Sequence, residues 1–211
     1  MTTLYYTPLD LPKIEPKNWD KWWEVWNTHA AVISKNEKNH NDTYGLWKGL
    51  DLYRDPYMVP KLRAAGLTGV HDPVYNAPYH YQSPVVIDLV HQVISHFPMH
   101  VICIRVIENL DVVPPHSDES SPAPNVRSIL WSDYTEPMWR FDLGEKSLKM
   151  TLPDDTNSFY YLDYPLKHSA IYRPGNTKGV LVVYGVPMKD KFKEMTARSY
   201  LRYIDCAWLE E

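Results

Sequence analysis

The sequence predicts a mainly β fold with flanking helices, in which the strands form a jelly-roll core. Beyond Pro98 the chain is a series of short β-rich segments, with turn residues between them at intervals of roughly 8 to 12 positions. Before Pro98, and again near the C-terminus, apolar residues recur with helical spacing. The 18 Pro and only 8 Gly in 211 residues also favour short strands and ordered loops over long helices.

Three helices are predicted. Asn18 can cap the first, whose tryptophans share one face and are expected to pack on the core rather than to meet a partner. Ser83 can cap the second, with Pro84 at its first position. The third covers 191–209. The apolar faces of the first two helices comprise Trp19, Trp22, Trp23 and Trp26, and Val86, Leu89, Val90, Val93, Ile94 and Phe97.

The strands are expected to form the central part of one compact unit. This core covers 99–190, an N-terminal helical or irregular extension at 1–98 packs on it, and a C-terminal helix occupies 191–211. Besides the segment at 100–107, strand-like pieces lie at 127–131, 138–141, 148–152, 158–162, 168–172 and 179–186.

Composition argues against several classes of function. The formal net charge of -4 and the lack of a Lys/Arg cluster argue against nucleic-acid binding. No apolar run approaches the roughly 20 residues that span a bilayer, and the N-terminus has no signal-peptide core. Cys103 and Cys206 are far apart and are expected to be reduced thiols. We expect a cytoplasmic protein, and the sequence leaves its oligomeric state open.

Two segments together predict a metal site. His116 and Asp118 follow a β-rich segment and the predicted turn Val113-Pro114-Pro115. Residues two apart in an extended chain face the same side, so both side chains can enter one pocket. Farther along, His168 opens another strand. Two imidazoles and one carboxylate form the facial triad of non-haem Fe(II) oxygenases, which leaves adjacent coordination positions for a co-substrate and oxygen.

Other candidate motifs are weaker. His40 and Asp42 have the same spacing, but they lie in a polar loop with no strand before them, so we interpret them as solvated surface. The chain has no phosphate-binding glycine motif, nucleophile elbow or paired-cysteine metal site. A basic residue, Lys178, opens an apolar strand ten positions after His168. A cation at this place can pair with the distal carboxylate of 2-oxoglutarate.

The arrangement of His116, Asp118, His168 and Lys178 resembles the iron- and 2-oxoglutarate-dependent oxygenases, which have a double-stranded β-helix (cupin-like) fold. The stretch 116–130 is most similar to the aspartyl/asparaginyl β-hydroxylase-like branch, which includes free-proline hydroxylases. In that branch an Arg stands at the head of the strand after the first His, and Arg127 takes this place here. The resemblance covers about residues 100 to 187.

The resemblance implies Fe(II), 2-oxoglutarate and O2 as cofactors. It implies that a small-molecule amino acid or a peptidyl side chain is hydroxylated, with succinate and CO2 released, and no catalytic residue beyond the metal ligands. The usual partner of the 2-oxoglutarate carboxylate in this branch is Arg. Lys178 therefore has Arg173 and Arg127 as rivals, and Arg127 can equally pair with Asp133 or Glu136.

Two alternatives stay open. A cupin-type metal enzyme would use the same triad without 2-oxoglutarate. A non-catalytic β-sandwich binding module would carry the three residues incidentally and use the tryptophan face of the first helix for a partner. The segment 75–81 can form a lid over the metal pocket or a loop with no catalytic role.

Overall fold

Twelve strands and three helices are described by the computed structural model, which covers residues 2–34, 46–57, 82–118, 123–134 and 139–210. The helices are α1 (Trp19–His29), α2 (Pro84–His96) and α3 (Lys189–Arg202). The strands are β1 (Thr3–Pro8), β2 (Ala31–Ser34), β3 (Leu46–Arg54), β4 (Met99–Asn109), β5 (Val113–His116), β6 (Ala123–Ser132), β7 (Trp139–Leu143), β8 (Lys146–Lys149), β9 (Ser158–Asp163), β10 (Lys167–Ala170), β11 (Lys178–Pro187) and β12 (Trp208–Glu210).

The strand order is that of a double-stranded β-helix. Eight strands form one sheet in the order β12-β1-β9-β6-β11-β4-β3-β2, and four form a second sheet in the order β5-β10-β7-β8. From β4 to β11 the chain passes back and forth between the two sheets, and every neighbouring pair is antiparallel. This alternation is the jelly roll that the sequence predicts, so the predicted fold class is confirmed.

The larger sheet extends beyond the jelly roll on both sides. Strands β2 and β3 continue it past β4, while β1 and β12 continue it past β9. The described part of the first 98 residues therefore contributes three strands as well as helices, whereas the sequence predicted only a helical or irregular extension there. The predicted C-terminal helix at 191–209 is also too long, because α3 ends at Arg202 and the chain then turns to pair β12 with β1. That pairing satisfies backbone groups that an edge strand would otherwise expose.

A short strand replaces the turn predicted at Val113-Pro114-Pro115. Strand β5 spans Val113–His116 and lies at the edge of the smaller sheet, paired only with β10 there. An edge position tolerates proline, which has no N–H to donate to a neighbour. The two prolines thus extend the chain toward His116 rather than turning it.

The outer face of the larger sheet is covered by helices. Asn18 caps α1 by accepting a hydrogen bond from the Lys21 N–H at 3.0 Å, as predicted. Trp22 and Trp26 are buried and pack around Trp131 of β6, which confirms that the tryptophan face of α1 belongs to the core. Helix α2 begins at Pro84, after Ser83, also as predicted.

The inner face of the larger sheet meets the smaller sheet in a second, aromatic core. Phe141, Phe159 and Tyr161 are fully buried there. Several charged side chains share this inner space with them: Arg105, Arg127, Asp163, His168 and Lys178. Burying charge is unfavourable unless it is compensated, so this inner space is where a functional site is expected. None of the helices in the described ranges is long and apolar enough to cross a membrane.

Candidate metal centre

The three predicted metal ligands converge between the two sheets. His116 ends β5, and Asp118 follows it by two residues. His168 lies on β10, directly opposite His116 in the antiparallel ladder between these strands. The ligands thus come from one strand end, the loop after it and the neighbouring strand, which brings together residues that are distant in sequence.

The spacing of the ligand atoms suits a small divalent cation. One ligand atom from each of His116, Asp118 and His168 lies within 4.8 Å of the other two. The Asp118 carboxylate oxygens are 3.4 Å from Nε2 of His116 and 3.7 Å from Nε2 of His168. Ligands at right angles around a metal, each about 2.1 Å from it, would be about 3 Å apart. A small inward movement of these side chains would complete coordination.

The surroundings of the two Nδ1 atoms, a hydrogen bond for His116 and a nearby carboxylate for His168, leave Nε2 of each ring facing Asp118. Nδ1 of His116 is 2.8 Å from the Pro114 carbonyl oxygen. A carbonyl can only accept, so Nδ1 carries the proton and Nε2 keeps its lone pair. In His168, Nδ1 lies 3.8 Å from a carboxylate oxygen of Asp163, which is fully buried. A carboxylate behind a metal-binding histidine orients the ring and increases its basicity.

Aromatic rings hold His168 in place. The imidazole is stacked on Trp139, with centroids 5.3 Å apart and planes 6° apart, and Tyr161 lies 5.2 Å away on another side. Both aromatics belong to the core between the sheets, and they also form the wall beside His168.

Arg127 is a buried cation in direct contact with Asp118. Its Nη2 donates to Asp118 at 2.8 Å, and its guanidinium lies over the rings of Trp139 and Tyr161. Partial burial raises the pKa of Asp118, whose side chain is 40% exposed, but its interactions with His116 and with the guanidinium of Arg127 outweigh this and hold that pKa far below its usual range. Asp118 is therefore anionic at physiological pH.

His168 is neutral at pH 7. Burial lowers its pKa well below 6.5, and the nearby Asp118 offsets this only in part. A neutral imidazole is the form that binds a metal. The donor set is thus two imidazoles, one of them neutral because of its burial, and one carboxylate.

Lys178 begins β11 and is buried in the same inner space. Only 1% of it is exposed, and its ammonium donates to the Ile171 carbonyl at 3.1 Å and lies 5.5 Å from the Tyr134 ring centroid. Burial alone lowers its pKa from 10.5 to about 8. Within the described ranges no carboxylate pairs with this buried cation.

The remaining residues that the sequence analysis singled out lie away from the three ligands or outside the described ranges. Arg173 is exposed in the turn before β11, where its backbone N–H donates to the Tyr134 hydroxyl. Asp133, which was offered as a partner for Arg127, instead accepts hydrogen bonds from Thr177. The segment 75–81, the pair at positions 40 and 42, and Glu136 lie outside the described residues.

Comparisons with known proteins found solved structures that are similar to this chain. No protein-family model matches the chain, and no curated protein matches it. A prolyl hydroxylase from Trichoplax adhaerens, in complex with a hypoxia inducible factor peptide fragment, is 10% identical over 86% of this chain and 79% of that one, with a TM-score of 0.44. A Pseudomonas putida prolyl-4-hydroxylase is 6% identical over 88% and 91%, with a TM-score of 0.43. The fold assignment rests on the strand order described above.

Proposed function

We propose that the protein is an Fe(II)- and 2-oxoglutarate-dependent oxygenase that hydroxylates an amino acid or a peptidyl side chain. The observation that carries this proposal is the cluster of His116, Asp118 and His168, whose ligand atoms lie within 4.8 Å of one another inside a double-stranded β-helix. Two imidazoles and one carboxylate are the facial set that non-haem iron oxygenases use. We therefore assign the three side chains as the metal ligands.

Lys178 supports 2-oxoglutarate as the co-substrate. Its ammonium contacts the carbonyl of Ile171, which comes three residues after His168. At about 3.3 Å per residue of extended chain, Ile171, the residue after β10, is at most roughly 10 Å from His168. A five-carbon keto acid bound to the metal through its keto end can span that distance and place its far carboxylate on the ammonium. Lys178 is better placed for this role than the exposed Arg173, or than Arg127, which already pairs with Asp118.

The chain's own residues bind, orient and exclude water. Bound Fe(II) and 2-oxoglutarate supply the oxidative chemistry, in which O2 is consumed, 2-oxoglutarate is converted to succinate and CO2, and a C–H bond of the substrate is hydroxylated. Arg127 keeps Asp118 ionised and fixes one of its oxygens, which leaves the other for the metal. Trp139 and Tyr161 shield His168 from water.

The substrate class rests on the resemblance to the aspartyl/asparaginyl β-hydroxylase-like branch, whose members act on amino acids and peptidyl side chains. Arg127 lies in the middle of β6, the strand after the first His, and not at its head as the resemblance implied; its ion pair with Asp118 supports a role for it in the site. We propose a substrate with an amino-acid side chain as its reacting part.

Succinate formation tests the proposal. Purified protein with Fe(II), 2-oxoglutarate and O2 is incubated with panels of amino acids and short peptides, and succinate is quantified. We expect succinate formation to increase when one class of substrate is added and to be lost in the His168→Ala variant. The matched control is His100→Ala, an exposed histidine of β4, which should retain the activity. Stoichiometric iron without succinate under any condition would favour a metal enzyme that does not use 2-oxoglutarate, and no iron binding would favour the binding module.

A further inference from the structure

Asn109 is a buried amide with an unused donor. It is the last residue of β4 and only 5% exposed. Its side-chain nitrogen Nδ2 has no hydrogen-bond partner among the described residues. Leaving a buried donor unsatisfied destabilises the fold, so such groups in folded proteins usually meet a water or a ligand.

The strand register predicts that Asn109 and Lys178 are neighbours. Strands β4 and β11 are antiparallel, with Gly179 opposite Glu108 as the last pair of their ladder. Continued by one step, this register would set Lys178, the first residue of β11, opposite Asn109, the last residue of β4. Directly opposed residues point to the same face, with Cβ atoms about 4.5–5.5 Å apart. That face is the inner one, because Ile107, two residues before Asn109, belongs to the core between the sheets.

Glu108, the residue before Asn109, carries a carboxylate that points to the opposite face of the sheet. Glu108 alternates with Asn109 and therefore lies on the outer face of the larger sheet. There it interacts with Lys48 and the indole of Trp26. Glu108 therefore does not neutralise Lys178, and the ammonium faces the inner space between the sheets, where an anion could meet it.

We propose that the Asn109 amide and the Lys178 ammonium bind one carboxylate together, the far carboxylate of the co-substrate. This assignment rests on the proposed function, and it adds a residue that decides specificity. Lysine acts as a point charge that attracts an anion without fixing its orientation. The amide supplies a directional donor, so the pair would select keto acids with a second carboxylate over those that lack it.

The test compares two keto acids on the Fe(II)-loaded protein without oxygen. Binding of 2-oxoglutarate and of 2-oxobutyrate, which lacks the far carboxylate, is measured by calorimetry for wild type, Asn109→Leu and Asn109→Asp. A hydrogen bond to a charged group is worth about 1.5–3 kcal/mol, so Asn109→Leu should weaken 2-oxoglutarate binding roughly ten- to a hundredfold. Binding of 2-oxobutyrate should not change, and Asn109→Asp should weaken 2-oxoglutarate binding further because of charge repulsion.

Three other results would contradict either the carboxylate contact or the proposed function. If Asn109→Leu binds 2-oxoglutarate as tightly as wild type, the amide holds a water only and the assignment is wrong. An equal loss for both keto acids would mean that the variant distorts the whole site, which also contradicts a specific carboxylate contact. If wild type binds iron but neither keto acid, the proposed function itself fails, and this assignment with it. Asn109→Ala provides the same comparison should the leucine variant fail to fold.

Discussion

Replacing Lys178 with methionine should make the protein more stable while it abolishes co-substrate binding. Burial lowers the pKa of Lys178 from 10.5 to about 8. Each pKa unit corresponds to about 1.36 kcal/mol, so the charged form destabilises the fold at pH 7 by roughly 3 kcal/mol. Methionine fills a similar volume without the charge. It also leaves the Ile171 carbonyl without its donor, which costs about 1 kcal/mol. The net gain expected at pH 7 is about 2 kcal/mol.

This gain should depend on pH. Between about pH 8 and 10.5, the folded wild type has lost the proton of Lys178, whereas the unfolded chain still holds it. Stability rises with pH wherever the unfolded state binds more protons, so wild type becomes more stable across this window. The advantage of Lys178→Met should therefore shrink toward zero by about pH 10.

Urea unfolding of both proteins at pH 7 and pH 10 measures the effect. Lys178→Arg is the matched control, because it keeps the charge and should bring no gain in the free energy of unfolding. A methionine variant that is less stable than wild type at pH 7 would refute the reasoning, as would a difference that does not vary with pH. Either result would mean that Lys178 has an anionic partner in the folded protein.

Three further variants test the surroundings of the metal position. Asp163→Asn should weaken Co(II) or Fe(II) affinity roughly ten- to a hundredfold, because Asp163 orients His168; an unchanged titration would contradict this. Arg127→Met removes a cation that keeps the pKa of Asp118 low, so metal binding should shift to higher pH; superimposable pH profiles would exclude that role. Trp26→Ala, at a side chain only 2% exposed, should cost about 3–5 kcal/mol in urea unfolding. A loss below about 1 kcal/mol would contradict its core position.

The convergence of His116, Asp118 and His168 was predictable because two simple rules bring them together. Alternation in an extended chain puts His116 and Asp118 on one side, and strand pairing then brings His168 opposite His116. The class of fold was predictable for a similar reason, since short strands at regular spacing with few glycines leave few other architectures.

Contacts between distant residues could not be predicted from local patterns. Arg127 had nearby acidic candidates, but it pairs with Asp118 across a loop. Asp163 and Asn109 carry no sequence signal, because an Asp or Asn at a strand end usually marks a turn. Strands β1 and β3 were missed since their partners are the distant β9 and β4, and pairing with distant strands decides their conformation.

The central claim is that His116, Asp118 and His168 hold an iron to which 2-oxoglutarate binds. An anaerobic titration of the metal-free protein with Fe(II) and 2-oxoglutarate tests it most directly, because a keto acid chelated to Fe(II) has a weak visible charge-transfer band. We predict a band that saturates at one equivalent of each and is absent in His116→Ala. Iron binding without the band would contradict the role of 2-oxoglutarate, and a band that persists in His116→Ala would contradict the assignment of the ligands.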